Sequence, residues 1–189
     1  MSDLQVILAS IPGFAGADIV GKLADGPTNL SVKVEQGGRF FVLRVDKPDA
    51  ARLGLNREAE RNVIEAIAQA GLGMNPVHFD AGAGVCLRPY IPGRKWTRTD
   101  LLDEGKLARF ATLLRELHTL PPAGSAFKPL LAAGRYARQL GTTEAGNLFG
   151  KVASAYALIE PGPPALCHND LVCQNVLEGK ELTLIDWEY

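Results

Sequence analysis

The segment His168-Asn169-Asp170-Leu171-Val172-Cys173-Gln174-Asn175 sets a carboxylate and a carboxamide five positions apart behind a histidine. On one short loop, that spacing lets Asp170 face a hydroxyl group while the Asn175 amide oxygen turns back to ligate Mg²⁺. Asp186 follows eleven residues after Asn175, at the end of the apolar stretch Leu182-Thr183-Leu184-Ile185, and offers a second hard oxygen ligand. An acid that accepts a hydroxyl proton, beside an amide and a carboxylate that hold a divalent cation, is the equipment of phosphoryl transfer. Each part alone is common, since an Asp closing a strand is most often a turn or a cap. Their order and spacing together carry the reading. His168 is expected to hold the loop through hydrogen bonds, because a metal-ligand role needs neighbouring ligands that the sequence does not place beside it.

These groups need a scaffold that brings distant segments together. Residues 28–45 read as a β-hairpin, with arms rich in β-branched and aromatic residues around Gly37-Gly38. Asn56 can cap a helix running to about residue 70, with acids in its first turn and Gly71 just past its end. Residues 76–80 and 85–90 flank Ala81-Gly82-Ala83-Gly84 as a second hairpin, and Pro92-Gly93 then breaks the chain. That break predicts two lobes, residues 1–91 and 92–189. Leu107, Phe110, Leu114 and Leu117 fall on one face of a helix that Pro121-Pro122 ends. Helical segments continue to about Glu160, the Pro161-Gly162-Pro163-Pro164 stretch leads into the histidine loop, and residues 175–186 form a tight hairpin.

The histidine loop matches the kinase catalytic-loop pattern H-x-D-L-x-x-x-N, with Asn169 in place of the usual Arg. Followed by Leu184-Ile185-Asp186-Trp187-Glu188-Tyr189, it resembles the signature of choline and ethanolamine kinases and the related thiamine kinases and aminoglycoside phosphotransferases. The resemblance implies an α+β, bilobal, protein-kinase-like fold: an N-lobe antiparallel sheet with one helix, and a mainly helical C-lobe with a short hairpin. It implies a catalytic base at Asp170 and Mg²⁺ ligands at Asn175 and Asp186. The phosphate-covering turn of the family falls on residues 25–29, where Thr28 and Asn29 can donate hydrogen bonds, although a plain hairpin entry fits them equally well. Arg44 takes the place of the basic residue that holds the α- and β-phosphates, its planar fork suiting phosphate oxygens, with a solvated strand-edge charge as the alternative. Its partner acid lies on the following helix. Glu58, Glu60 and Glu65 compete there, and periodicity selects Glu60, in register with Ile64 and Ile67 on the apolar face. The spacing Arg57-x-x-Glu60 points the same way. Residues 88–91, with Arg88, Tyr90 and Ile91, resemble the hinge whose backbone meets the adenine. The implied activity is ATP-dependent transfer of the γ-phosphoryl group to a hydroxyl of a small molecule, choline or ethanolamine first, with thiamine, an aminoglycoside or a nucleotide-binding pseudokinase as alternatives. Trp187, Glu188 and Tyr189 either form part of a cage for a quaternary ammonium group or pack beneath the metal loop.

Composition narrows the setting. With 20 basic and 21 acidic residues, a net charge of −1 and no basic run interleaved with aromatics, a nucleic-acid partner is not expected. Cys86, Cys167 and Cys173 are an odd number without metal-ligand spacing, which fits reduced thiols in the cytoplasm. Neither an export signal nor a membrane span is expected. Family members continue beyond the metal acid, whereas this sequence has only three residues after Asp186. The C-lobe therefore reads as incomplete, with apolar surface expected near residues 182–189 and self-association through it.

Overall fold

A computed structural model describes residues 2–48, 50, 54–160 and 162–188. The chain divides into two compact units, Met1–Gly124 with Leu166–Tyr189, and Ser125–Ala165.

The first unit is built on a five-stranded antiparallel sheet. Its strands are β1 (Asp18–Asp25), β2 (Asn29–Gln36), β3 (Arg39–Asp46), β4 (His78–Asp80) and β5 (Val85–Pro89), in the order β1-β2-β3-β5-β4. Gly37 and Gly38, at φ 58° and 75°, make the turn between β2 and β3 because side-chain-bearing residues resist the left-handed conformation at both central positions. Strand alternation then sorts the two faces of the sheet. Val32, Val34, Phe41, Leu43 and Leu87 point to one face, where Leu8 of helix α1 (Ser2–Ser10), Ile11 and Phe14 cover them in a buried core. Ser31, Arg44 and Cys86 lie directly opposite one another on the other face, as do Lys33, Val42 and Arg88.

Helix α2 (Arg57–Gln69) starts where Asn56 accepts a hydrogen bond from the Ala59 amide and ends before Gly71, at φ 75°. Its inward stripe contains Glu60 and Ile67. A second core joins Ile67, Trp96, Leu117, Leu166, Val176, Leu184 and Trp187. Around it lie strands β6 (Arg94–Lys95), β7 (Val176–Glu178) and β8 (Leu182–Leu184), which form a three-stranded sheet, and helix α3 (Glu104–His118). Phe110, Leu114 and Leu117 of α3 pack there, but Leu107, on its first turn, is exposed. The second unit contains α4 (Pro129–Leu140) and α5 (Thr143–Tyr156), with Gly134 of α4 lying close to Phe149 of α5.

Among the described residues, the apolar surface expected near residues 182–189 is not exposed. Leu184 and Trp187 are buried because β8 and the segment after it fill the second core. Large exposed apolar side chains occur in both units, among them Val6 and Leu102 in the first and Leu131, Leu140, Leu148, Leu158 and Ile159 in the second.

Candidate active site

The polar face of the large sheet floors a cavity of about 230 Å³ whose walls include Asn29, Arg44, Glu60, Arg88, Tyr90, Ile91, Asn175 and Asp186. Eight of the eleven residues singled out by sequence thus meet around one space. Thr28, His168 and Asp170 complete the set from beside it, through hydrogen bonds to each other or to the lining.

Arg44 on β3 grips Glu60 on α2 with both ends of its guanidinium, at 2.5 and 2.9 Å. Arg57, one turn before Glu60, donates to Glu60 at 2.7 Å and to both oxygens of Asp46 at 2.8 and 2.6 Å. Glu188 closes the cluster at 3.1 Å from Arg57 and 3.5 Å from Arg44. Two arginines therefore face three carboxylates in a nearly dry interior. Burial opposes the charge on Arg44, but the Glu60 bonds outweigh it and hold the guanidinium above its ordinary range. Burial likewise opposes Arg57, and Asp46, Glu60 and Glu188 together overturn it. On Glu188 burial dominates, reinforced by Asp186, and its carboxyl is pushed up.

Glu188 also accepts from Asn29 Nδ2 at 2.7 Å and from the Thr28 hydroxyl at 3.4 Å. The turn before β2 is thereby tied to the residues after Asp186, and both its polar side chains are buried. The sequence marked Arg57 only as a spacing signal and assigned nothing to Asp46. For Glu188 it left a cage or a packing role open. Trp187 packs, its ring 4.4 Å from that of His168 and its indole nitrogen donating to Leu184 O at 3.2 Å. Tyr189 lies outside the described residues.

Gly84, in the turn between β4 and β5, presses against this cluster. A Cβ there would sit 2.6 Å from the Asp46 side chain, and the residue has φ +65°. Gly84→Ala is expected to lower stability by roughly 2 kcal/mol, from backbone strain plus displacement of the Asp46 carboxylate, as read by thermal melting.

The histidine loop is held from within. His168 is fully buried, its Nε2 2.8 Å from Ile185 O and its Nδ1 accepting from the Asp170 amide at 3.4 Å, an arrangement satisfied by the neutral ring with its proton on Nε2. Asn175 Nδ2 donates to Asp170 O at 3.0 Å and Asp170 Oδ2 at 3.2 Å, and Asn175 O accepts from the Ile185 amide at 3.0 Å. With its NH₂ spent on Asp170, Asn175 keeps its amide oxygen as the atom available to a cation. Among the described residues, Asn169 and Asp186 are the only non-glycine residues at positive φ, 62° and 72°. Both types tolerate that conformation, and here it bends the chain at the two places where an acid must be aimed. Asp186 stays open to the cavity, yet the protein packed around it strips away enough water to push its carboxyl up, with Glu60 and Asp170 adding to the shift and Arg44 and Arg88 opposing it. A carboxylate in that position gains from a cation, and the amide and carboxylate oxygens are the hard donors Mg²⁺ prefers.

Residues 20–189 match the model of the phosphotransferase enzyme family. The chain belongs to that family. No curated protein matches it. Among solved structures it is similar to a choline/ethanolamine kinase family protein from Mesorhizobium loti, at 27% identity and a TM-score of 0.71 over 100% of this chain and 64% of that one. It is also similar to choline kinase LicA from Streptococcus pneumoniae, at 22% identity and a TM-score of 0.80 over 100% of this chain and 69% of that one. A thermostable mutant of the aminoglycoside phosphotransferase APH(4)-Ia, solved with AMP-PNP and hygromycin B, shares 17% identity at a TM-score of 0.68, over 100% of this chain and 71% of that one. This family member thus has the α+β, protein-kinase-like fold, and it spans 64% of the length of the first of these structures. Among the described residues no helix is long and apolar enough to cross a membrane.

Proposed function

We propose that the chain carries the nucleotide- and metal-binding part of a small-molecule kinase, which transfers the γ-phosphoryl group of ATP to a hydroxyl of choline or ethanolamine. The observation that carries this reading is the hydrogen-bonded unit Asp170–Asn175–Ile185–His168 with Asp186 on the same cavity as Arg44 and Glu60. Residues 1–91 would supply the nucleotide side and residues 92–189 the acid and the metal ligands. Likeness to a choline/ethanolamine kinase family protein supports the choice of acceptor, and the aminoglycoside-bound relative keeps aminoglycosides in the test panel.

Asp170 aligns the acceptor hydroxyl and takes its proton as that oxygen bonds to the γ-phosphorus and the bond to the β,γ-bridging oxygen breaks, leaving ADP. Arg44, fixed by Glu60, holds positive charge on the phosphate side, and the backbone of residues 88–91 receives the adenine. Asn175 Oδ1 and Asp186 would hold a magnesium ion, which would supply neutralisation of the charge on the phosphates. Catalysis by such a site is mainly positioning and electrostatics. The three cysteines are unpaired, in keeping with a reducing, cytoplasmic setting.

The first test is thermal melting with Mg²⁺ alone and with ATP and Mg²⁺. At ~100 times its dissociation constant, a nucleotide adds roughly 2.7 kcal/mol, a rise of several degrees for a chain of this size. That rise is expected to vanish in Asp186→Ala. A well-folded wild-type sample that shows no rise would sink the proposal.

A further inference from the structure

Two arginines, Arg44 and Arg88, line the cavity, Arg57 stands behind Arg44, and the surroundings of the three differ. Arg44 is locked bidentate onto Glu60, and Arg57 onto Asp46 and Glu60. Counting Glu188, those two cations meet three carboxylates, so the charge of Arg44 is already matched within the ion cluster behind the cavity. An entering polyphosphate therefore gains from a further cation that faces it, beside any magnesium ion. Arg88 is such a cation. It lies on β5 directly opposite Val42, and Arg44 lies opposite Cys86, so Arg44 and Arg88 are diagonal neighbours on the same sheet face. Diagonal neighbours stand roughly 7–8 Å apart, close enough for one polyphosphate to touch both. The Arg88 side chain lines the cavity and is half-buried, yet among the described residues it makes no ion pair or hydrogen bond. Lys95, which also lines the cavity, is exposed on β6 and stays hydrated.

We infer that the Arg88 guanidinium binds the phosphate oxygens of a nucleoside di- or triphosphate beside Arg44, whose charge Glu60 already matches. The inference rests on the nucleotide-binding reading above, and it moves Arg88 from a place on the backbone hinge to a side-chain contact with the anion. Burial lowers Arg88 from the ordinary arginine range, as it does for a cation stripped of water without a matched anion, and a phosphate restores that balance. The planar fork of five donors is suited to two oxygens at once, which lysine cannot match.

The experiment compares wild type, Arg88→Met and Arg88→Lys by calorimetric titration with ATP, ADP and adenosine, each with and without Mg²⁺, and by thermal melting without ligand. Arg88→Met is expected to weaken ATP and ADP about 10- to 100-fold, the size of a lost charge-assisted bond, while adenosine stays within about two-fold. Arg88→Lys should fall between. Without ligand, Arg88→Met should melt no lower than wild type, since an unpaired cation in a half-dry site stabilises nothing. Unchanged ATP affinity, equal loss for adenosine, or a melting point several degrees lower would each overturn the assignment of Arg88 while leaving the nucleotide reading intact. Absence of ATP binding to wild type would overturn both.

Discussion

Asp170→Asn is expected to lower kcat by about 10²- to 10⁴-fold, the span of a lost general base, while ATP affinity changes by no more than a few-fold. The substitution removes a charge and little else. Asn175 Nδ2 now donates to Asp170 O and Oδ2, and an amide oxygen at position 170 can still receive the second of these bonds. The backbone of the loop is fixed separately, by His168 at Ile185 O and by Ile185 N at Asn175 O, so the metal-side residues keep their places. What disappears is the acceptor for the hydroxyl proton. The measurement is steady-state phosphorylation of a panel of choline, ethanolamine, thiamine and aminoglycosides, beside ATP binding by titration. Turnover retained by Asp170→Asn would mean that another group takes the proton. ATP binding without phosphorylation of any acceptor by the wild type would favour a nucleotide-binding pseudokinase.

What the sequence made legible was local. Asp170 and Asn175 are five residues apart, so the spacing alone contained their geometry, which appears as a direct side-chain hydrogen bond. Glu60 could be chosen over Glu58 and Glu65 because a helix repeats every ~3.6 residues and Glu60 shares the stripe of Ile64 and Ile67. The strand alternation that separates Arg44 and Arg88 from Leu43 and Leu87 was equally open to reading. Long-range partners were not. Asn29 and Glu188 are bonded across 159 positions, and no periodicity links them. Asp46 ends β3 and drew no assignment from the sequence, although it fixes Arg57. Leu184 was expected near an apolar surface because the C-lobe read as incomplete, and packing was only one of two readings for Trp187; the second core that takes both shows only in the fold. Strand β6, two residues long, left no periodic signal and is formed by its pairing with β7. Helix α1 drew no assignment from the sequence, and Leu8 gains meaning when the sheet it covers is in place.

Arg57→Met and Glu188→Gln should part widely in stability, because the charge cluster is unbalanced in one direction. Arg57 and Arg44 face Asp46, Glu60 and Glu188, with side-chain exposures of 6% and 11% for the arginines and 2% and 5% for the two glutamates. Removing Arg57 leaves three carboxylates around one cation in a site that water barely reaches. Losing one partner of a buried pair typically costs about 3–5 kcal/mol, because the charge left behind is uncompensated. For a chain of this size that is a fall of roughly 10 °C in Tm. Glu188→Gln instead removes the surplus negative charge, and its amide oxygen can still accept from Asn29. Burial already disfavours that carboxylate, holding it above the usual range, so its neutral replacement should shift stability by about 1 kcal/mol or less. The comparison is made by thermal and urea unfolding at neutral pH. Equal losses would mean that the cluster stabilises through packing and hydrogen-bond number rather than charge balance. A larger loss for Glu188→Gln would mean that the clasp on Asn29 and Thr28 outweighs both.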